Sequence, residues 1–205
     1  MQEYFNNQTV DCIILPIAMS IFVARIIGNE KEGMTFKLQG SNGTSIKRIF
    51  YQKLAFTMGI FFVLLSIKTI GTVVFSILQN IQLPLSTILI HLSGEMLNVF
   101  ILACFTITLS MILKKQGLLM AFGFLGGFFG VVLSSKSSYL LSFLIPWIGS
   151  AYLAPYKFHL IDGTTYCYEL DPQIFLRIIL YFVFCVICYI FCKGVISNKE
   201  GFLYD

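Results

Sequence analysis

Two residues stand where an ordinary membrane span would not tolerate them. Lys68 and Glu95 each interrupt a long apolar run. A charge in hydrocarbon costs roughly 2.5–3.5 kcal/mol on insertion scales, so such a side chain turns toward protein or water. With the intervening turn near Gln82, Lys68 lies fourteen residues before it and Glu95 thirteen after it. At about 1.5 Å per residue, both reach a similar depth on antiparallel neighbours. Two kinds of chemistry fit: a neutralising structural pair, or the lining of a polar path for a cationic substrate. Cys185, Cys188 and Cys192 share a helix face at i, i+3 and i+7, a spacing that thiolate metal ligands also use. No His or carboxylate neighbours them in sequence, so they read as small packing residues rather than a metal site. His91 and His159, the two histidines, fall on different elements and are read as lacking a carboxylate at metal-ligand spacing.

Other catalytic patterns are missing. The chain contains no GxxxxGK[ST] phosphate loop, no HExxH and no GxSxG. It therefore carries no sequence signal for hydrolysing ATP or cutting peptides, and no catalytic or metal residue is assigned. Asn7-Gln8-Thr9 and Asn42-Gly43-Thr44 match the glycosylation sequon and are taken as chance matches.

The elements that must position Lys68 and Glu95 follow from composition. Of 205 residues 57% are hydrophobic and 12% charged, with a mean hydropathy of +0.84. A soluble domain carries roughly 45–50% apolar and about 25% charged residues, and has no interior large enough to hide such a surplus. The chain is thus expected to be an all-α integral membrane protein forming one transmembrane domain over 1–205. About 20 apolar residues cross the hydrocarbon as a helix. Five stretches qualify: 12–28, interrupted by Pro16 and Arg25; 54–78, with Lys68; 85–113, with His91 and Glu95; 118–133, without charge; and 174–191, with Arg177 near its start. In the fourth, Gly123, Gly126, Gly127 and Gly130 give two overlapping GxxxG patterns. These let helix backbones approach closely, either within the chain or at a subunit interface.

Two connecting segments are large. The segment 29–53 opens with Glu30 and Glu32, breaks at Gly40 to Gly43, and continues into a basic amphipathic stretch at 44–53 with Thr44 or Ser45 as N-cap. Ile46, Ile49, Phe50 and Leu54 form its apolar face, while Lys47, Arg48 and Lys53 are available to lipid phosphates. The pattern predicts an interfacial helix lying at the inner leaflet. The segment 134–173 is apolar over 139–156 but is interrupted by Pro146, Gly149 and Pro155. Short re-entrant helices are expected there, with Trp147, Tyr152 and Tyr156 at headgroup level, followed by a polar exposed cap that contains Cys167.

Orientation follows from Lys and Arg in the connections. With the N-terminus outside, the inner flanks hold ten of them (Arg25, Lys31, Lys37, Lys47, Arg48, Lys53, Lys114, Lys115, Lys193 and Lys199), and the outer flanks three (Lys136, Lys157 and Arg177). The C-terminus is then cytoplasmic. No cleavable signal peptide is visible, so the first span either follows an earlier one upstream of Met1 or inserts as a reverse anchor.

Pro16 within a span, Glu30-Lys31-Glu32-Gly33 at its exit and then Phe36-Lys37-Leu38 form a series that resembles the type-2 ATP-binding-cassette exporter permeases. The likeness is to the lantibiotic-immunity branch of Gram-positive bacteria. An acidic-glycine turn there leads through a short helix to a basic segment and a lysine, as in Ser45-Ile46-Lys47-Arg48 and Lys53; Ile145-Pro146-Trp147 also looks like that branch. The resemblance covers nearly the whole chain through degenerate motifs. It implies six spans with both termini inside, of which this chain lacks the first. It also implies that Glu30, Glu32, Gly33, Phe36 and Lys37 dock on separate ATPase subunits, which hold ATP and Mg, and that a second permease, identical or different, completes the exporter. Expulsion of an antimicrobial peptide for self-immunity is the implied task. Drug or lipid export by the same architecture, and peptide binding by a non-transporting immunity or sensor protein, are the alternatives. No nucleic acid partner is indicated.

The topology has a direct test. A cysteine placed at Thr44 is expected to resist a membrane-impermeant thiol reagent in whole cells while Cys167 reacts; labelling at Thr44 with protection at Cys167 inverts the orientation.

Overall fold

The computed structural model describes residues 8–80, 83–113, 115–134, 139–162 and 165–198, with the side chains of 8, 9, 134, 139–141 and 157–169 left aside. Five helices are long and apolar enough to cross a membrane, which makes this a multi-pass membrane protein: α1 (Gln8–Glu32), α3 (Ile46–Leu78), α4 (Leu85–Ile112), α5 (Gln116–Ser134) and α8 (Ile174–Ser197). The short α2 (Thr35–Ser41) joins α1 to α3. Between α5 and α8 lie α6 (Tyr139–Leu144), a 3-10 turn at Pro146–Ile148, α7 (Gly149–Tyr152) and an antiparallel hairpin of β1 (Tyr156–Asp162) with β2 (Thr165–Leu170). The cap that follows the short helices is a two-stranded hairpin in an otherwise helical chain, with Tyr156 paired to Leu170 and His159 to Cys167. The alternating polar and apolar residues of 156–170 suit a pleated ribbon better than a helix.

The centre of the bundle is α4. Its most apolar window is 67% buried inside the protein, against 22% for α3 and α8. Its composition explains the place. Gly94, Ala103, Cys104, Thr106, Thr108 and Ser110 keep its surface slim, so that neighbours come close where lipid supplies no hydrophobic drive. The hydroxyls of Thr106 and Thr108 donate back to the carbonyls of Leu102 and Cys104, each at 2.7 Å, and so bring no unsatisfied donor into the core.

The glycine face of α5 points inward. A methyl group built on Gly127 would lie 3.0 Å from the Ile13 carbonyl of α1, and one on Gly130 would lie 3.0 Å from the carbonyls of Cys12 and Trp147. Gly123 abuts Ser20 and Gly126 abuts the Trp147 indole. Pro16 helps to make the fit. It has no N–H to offer the Cys12 carbonyl, and that carbonyl is the one that meets Gly130.

Two sequence expectations need correcting. First, 44–53 is no separate interfacial helix. It forms the opening turns of α3, a single helix of 33 residues and about 50 Å. Nothing between Lys53 and Leu54 breaks the 3.6 period, and Ile46, Ile49, Phe50 and Leu54 face the protein core, with Phe50 stacked on Tyr189 of α8. Second, Tyr152 and Tyr156 are buried rather than spread along a headgroup belt. Tyr152 packs on Phe143 and Tyr181, because the prolines fold 139–156 back into the bundle.

The close approach at Gly123 sets up a contrast. Gly123→Ala puts its methyl 2.9 Å from the Pro16 carbonyl and is expected to cost about 1–3 kcal/mol. Gly71→Ala meets nothing within 4 Å and is expected to gain up to about 1 kcal/mol of helix propensity. Melting midpoints of the two purified variants check this; equal midpoints mean that α1 and α5 are not in contact there.

Candidate functional site

Lys68 and Glu95 meet. Lys68 lies ten residues before Leu78, the last of α3, and Glu95 ten after Leu85, the first of α4, so both sit about 15 Å from the end where the two helices turn. The Lys68 Nζ donates to the Glu95 Oε1 at 2.5 Å. A third helix enters: Nζ also donates to both oxygens of Asp11, at 2.8 and 2.7 Å, from the first turn of α1. His91, one turn before Glu95, places its Nε2 3.2 Å from the Glu95 Oε1. The four side chains join α1, α3 and α4. Glu95 is 4% exposed, His91 11% and Asp11 12%, and Lys68 forms the open side at 36%.

Sequence reasoning missed half of this cluster. Asp11 sits one residue before the apolar run at 12–28, where it reads as a flank; α1 begins earlier, at Gln8, and so carries it into the bundle. His91 was read as lacking a carboxylate partner, yet the i, i+4 spacing to Glu95 was a usable signal, since residues four apart share a helix face.

At the opposite end of the bundle, α2 gathers the other candidates and divides them. Glu30 forms an ion pair with Lys53, which ties the exit of α1 to the start of α3. Lys31 donates to the carbonyls of Ser110, Met111 and Leu113, at 2.6, 3.1 and 2.7 Å, and so caps the C-terminus of α4. The chain then reverses at Met34, whose φ of 53 is left-handed, to enter α2. Phe36 is buried in the core, whereas Glu32, Gly33, Met34, Lys37 and Leu38 are exposed, as are Lys47 and Arg48. Of the residues expected to dock on a partner, Glu30 and Phe36 therefore act within this chain, and Met34 and Leu38 join the exposed set.

Two further features were not legible beforehand. Asn98 of α4 donates to the Ser150 hydroxyl at 2.7 Å and accepts from the Tyr181 hydroxyl of α8 at 3.3 Å, which pins α7 between the two helices. Nearby, Arg177 reaches Asp171 at 3.1 Å and lies 5.3 Å over the Tyr152 ring. An apolar cavity of about 310 Å³ opens between α4, the 144–147 segment and α8, lined in part by Phe105, Trp147, Cys188 and Cys192. Those cysteines are free thiols, and among the described residues no group of His, Cys, Asp or Glu is placed to hold a metal ion. Comparisons with protein-family models, curated proteins and solved structures gave no match.

The cluster predicts an asymmetry. Lys68→Met leaves two carboxylates facing each other, whereas Asp11→Asn leaves one balanced pair. Lys68→Met is expected to lose about 3–5 kcal/mol, the usual cost of a broken buried pair, and Asp11→Asn less. The double variant is expected to fall short of the sum by about 1–3 kcal/mol. Additive losses in the measured cycle mean that the two side chains do not meet.

Proposed function

We propose that this chain is a membrane-spanning permease subunit of an ATP-binding-cassette exporter, working with a second permease and with ATPase subunits that carry ATP and Mg. One observation carries the reading: α2 is a seven-residue helix between the ends of two spans, braced from behind by Phe36 and by the Glu30–Lys53 pair, with Lys37 and Leu38 turned outward. A subunit without a nucleotide site must receive force through contact with another chain. A short braced helix transmits displacement to α1 and α3, where a slack loop would absorb it. The basic residues crowd at this end of the bundle, which supports placing α2 in the cytoplasm and the β hairpin outside.

The exported substrate in this reading is an antimicrobial peptide of the lantibiotic type, expelled for self-protection. The resemblance in Glu30-Lys31-Glu32-Gly33 and Ile145-Pro146-Trp147 supports it. The apolar cavity of about 310 Å³ beside Trp147 keeps export of a drug or lipid as a second reading.

Purification of the tagged chain from its own cells is expected to bring down a cassette ATPase. Lys37→Glu combined with Leu38→Asp is expected to lower substrate-stimulated ATP hydrolysis about tenfold, a loss near 1.4 kcal/mol at the contact, with insertion unchanged. Glu30→Ala is expected to lower stability instead. Normal transport by the double variant removes α2 from the mechanism. Protection of cells that contain no cassette ATPase argues for a non-transporting immunity protein.

A further inference from the structure

The short helices between α5 and α8 leave part of the bundle unfilled. Elsewhere the helices close tightly: Gly127 and Gly130 bring α5 against the backbone of α1, and small residues keep α4 slim. Beside the Pro146–Ile148 turn, by contrast, an apolar cavity of about 310 Å³ separates the 144–147 segment from α4 and α8. A gap of that kind forfeits dispersion contacts for every side chain around it, and protein interiors rarely leave one empty.

Its chemistry and size narrow the occupant. No lining side chain is charged, and the thiols of Cys188 and Cys192 are weak hydrogen-bonding groups. Trp147 turns the nitrogen edge of its indole to Gly126 of α5. Water needs several polar partners to enter, so a cavity lined this way excludes it and polar solutes alike. A helix of a second copy is too large: one turn, about 10 Å across and 5.4 Å long, takes roughly 420 Å³.

Depth selects among what is left. Gly126, against which Trp147 packs, lies ten residues after Gln116 and eight before Ser134, near the middle of a spanning helix. From there the cavity runs toward the α2 end, where Lys31 caps α4 and Tyr189 of α8 stacks on Phe50. Its lining includes Cys192, five residues before the end of α8, and Phe105, seven before the end of α4. Phe105 and Leu144 are exposed at its rim, so the cavity opens into hydrocarbon. The medium at that depth is the ends of acyl chains. A dry cavity of about 150 Å³ takes one benzene ring of six carbons, so this one has room for about a dozen, the outer part of such a chain.

We propose that this cavity is a binding site for one acyl chain of a bilayer lipid, drawn from the leaflet on the α2 side, whose end seats against Trp147 between the 144–147 segment, α4 and α8. The headgroup stays level with the other headgroups of that leaflet, so the site selects by chain. The seated chain supplies there the close packing that glycine faces supply elsewhere. The site rests on the cavity, its lining and its depth, so it stands whether or not the chain is an exporter subunit.

Trp147 is the sole tryptophan of the chain, so tryptophan fluorescence reports on this cavity alone. The test uses the full-length chain, stripped of its own lipid in detergent and returned to phosphatidylcholine vesicles. Their acyl chains carry bromine, a contact quencher, near either the methyl end or the carbonyl end. Methyl-end bromine is expected to quench about twice as strongly or more, because the two depths differ by much of the roughly 15 Å of one leaflet's hydrocarbon. On dilution with unlabelled lipid, quenching is expected to follow the brominated fraction in direct proportion, as for one seated chain. Contact with several exchanging chains saturates early instead. Cys188→Phe puts a ring into the cavity and is expected to remove most of the methyl-end quenching. Ile187→Phe, on the outward face of the same helix, is expected to leave it unchanged. No quenching, early saturation, equal quenching from both bromine positions, or undiminished quenching in Cys188→Phe overturns the proposal. The first three are read on the wild-type chain and decide it even if Cys188→Phe does not fold.

Discussion

An ammonium group in hydrocarbon has no water to fall back on, and Lys68 solves this by drawing one carboxylate from each of two other helices. Other placements in this part of the bundle follow from that contact. α1 must begin early enough to carry Asp11 inward, α3 and α4 must turn at equal distance from the cluster, and Glu95 must lie on the face of α4 that looks at both. Once desolvated, such charges hold a geometry firmly, because separating them leaves each uncompensated. Lys68 thus acts on the arrangement of three helices at once, and its own partial exposure leaves one side of the cluster open.

The rest of the interior obeys the same economy with weaker groups. Lipid does not push helices together, so closeness of fit has to do it. α5 offers α1 a glycine face, and the proline of α1 leaves a carbonyl that settles against it. The short helices between α5 and α8 would expose unsatisfied backbone if they lay in lipid. They lie instead against α4 and α8, with Asn98 bonded to both Ser150 and Tyr181. Each of the five spanning helices then carries large apolar side chains turned outward, as on α3 from Phe56 to Leu78 and on α8 from Phe175 to Phe191.

The two ends of the bundle differ in kind. Near the α3–α4 turn the charges are buried, few and shared. At the α2 end they are numerous, and most face outward, with Lys31 spent on the carbonyls of α4 and Glu30 on Lys53. α1 and α3 run through both ends. A displacement of α2 therefore reaches Asp11 and Lys68 along two stiff helices.

Much of this was written in the sequence. Apolar runs of about 20 residues have one solution in lipid, a helix, and all five spans appear, although α3 begins eight residues before, and α8 ends six residues beyond, where hydropathy put them. The depth match of Lys68 and Glu95 was arithmetic on helical rise, and they do meet. What sequence could not supply was the third dimension of those helices. Asp11 looked like a flank because its partner is 57 positions away. Thr44 to Lys53 looked interfacial because an apolar face reads the same whether lipid or protein covers it, and only the neighbouring α8 shows that protein does. The same ambiguity hid the inward tyrosines and left the glycine face of α5 open between a partner subunit and α1. Periodicity reports that a face must be covered; which surface covers it is decided by packing among distant segments, and so by the tertiary structure alone.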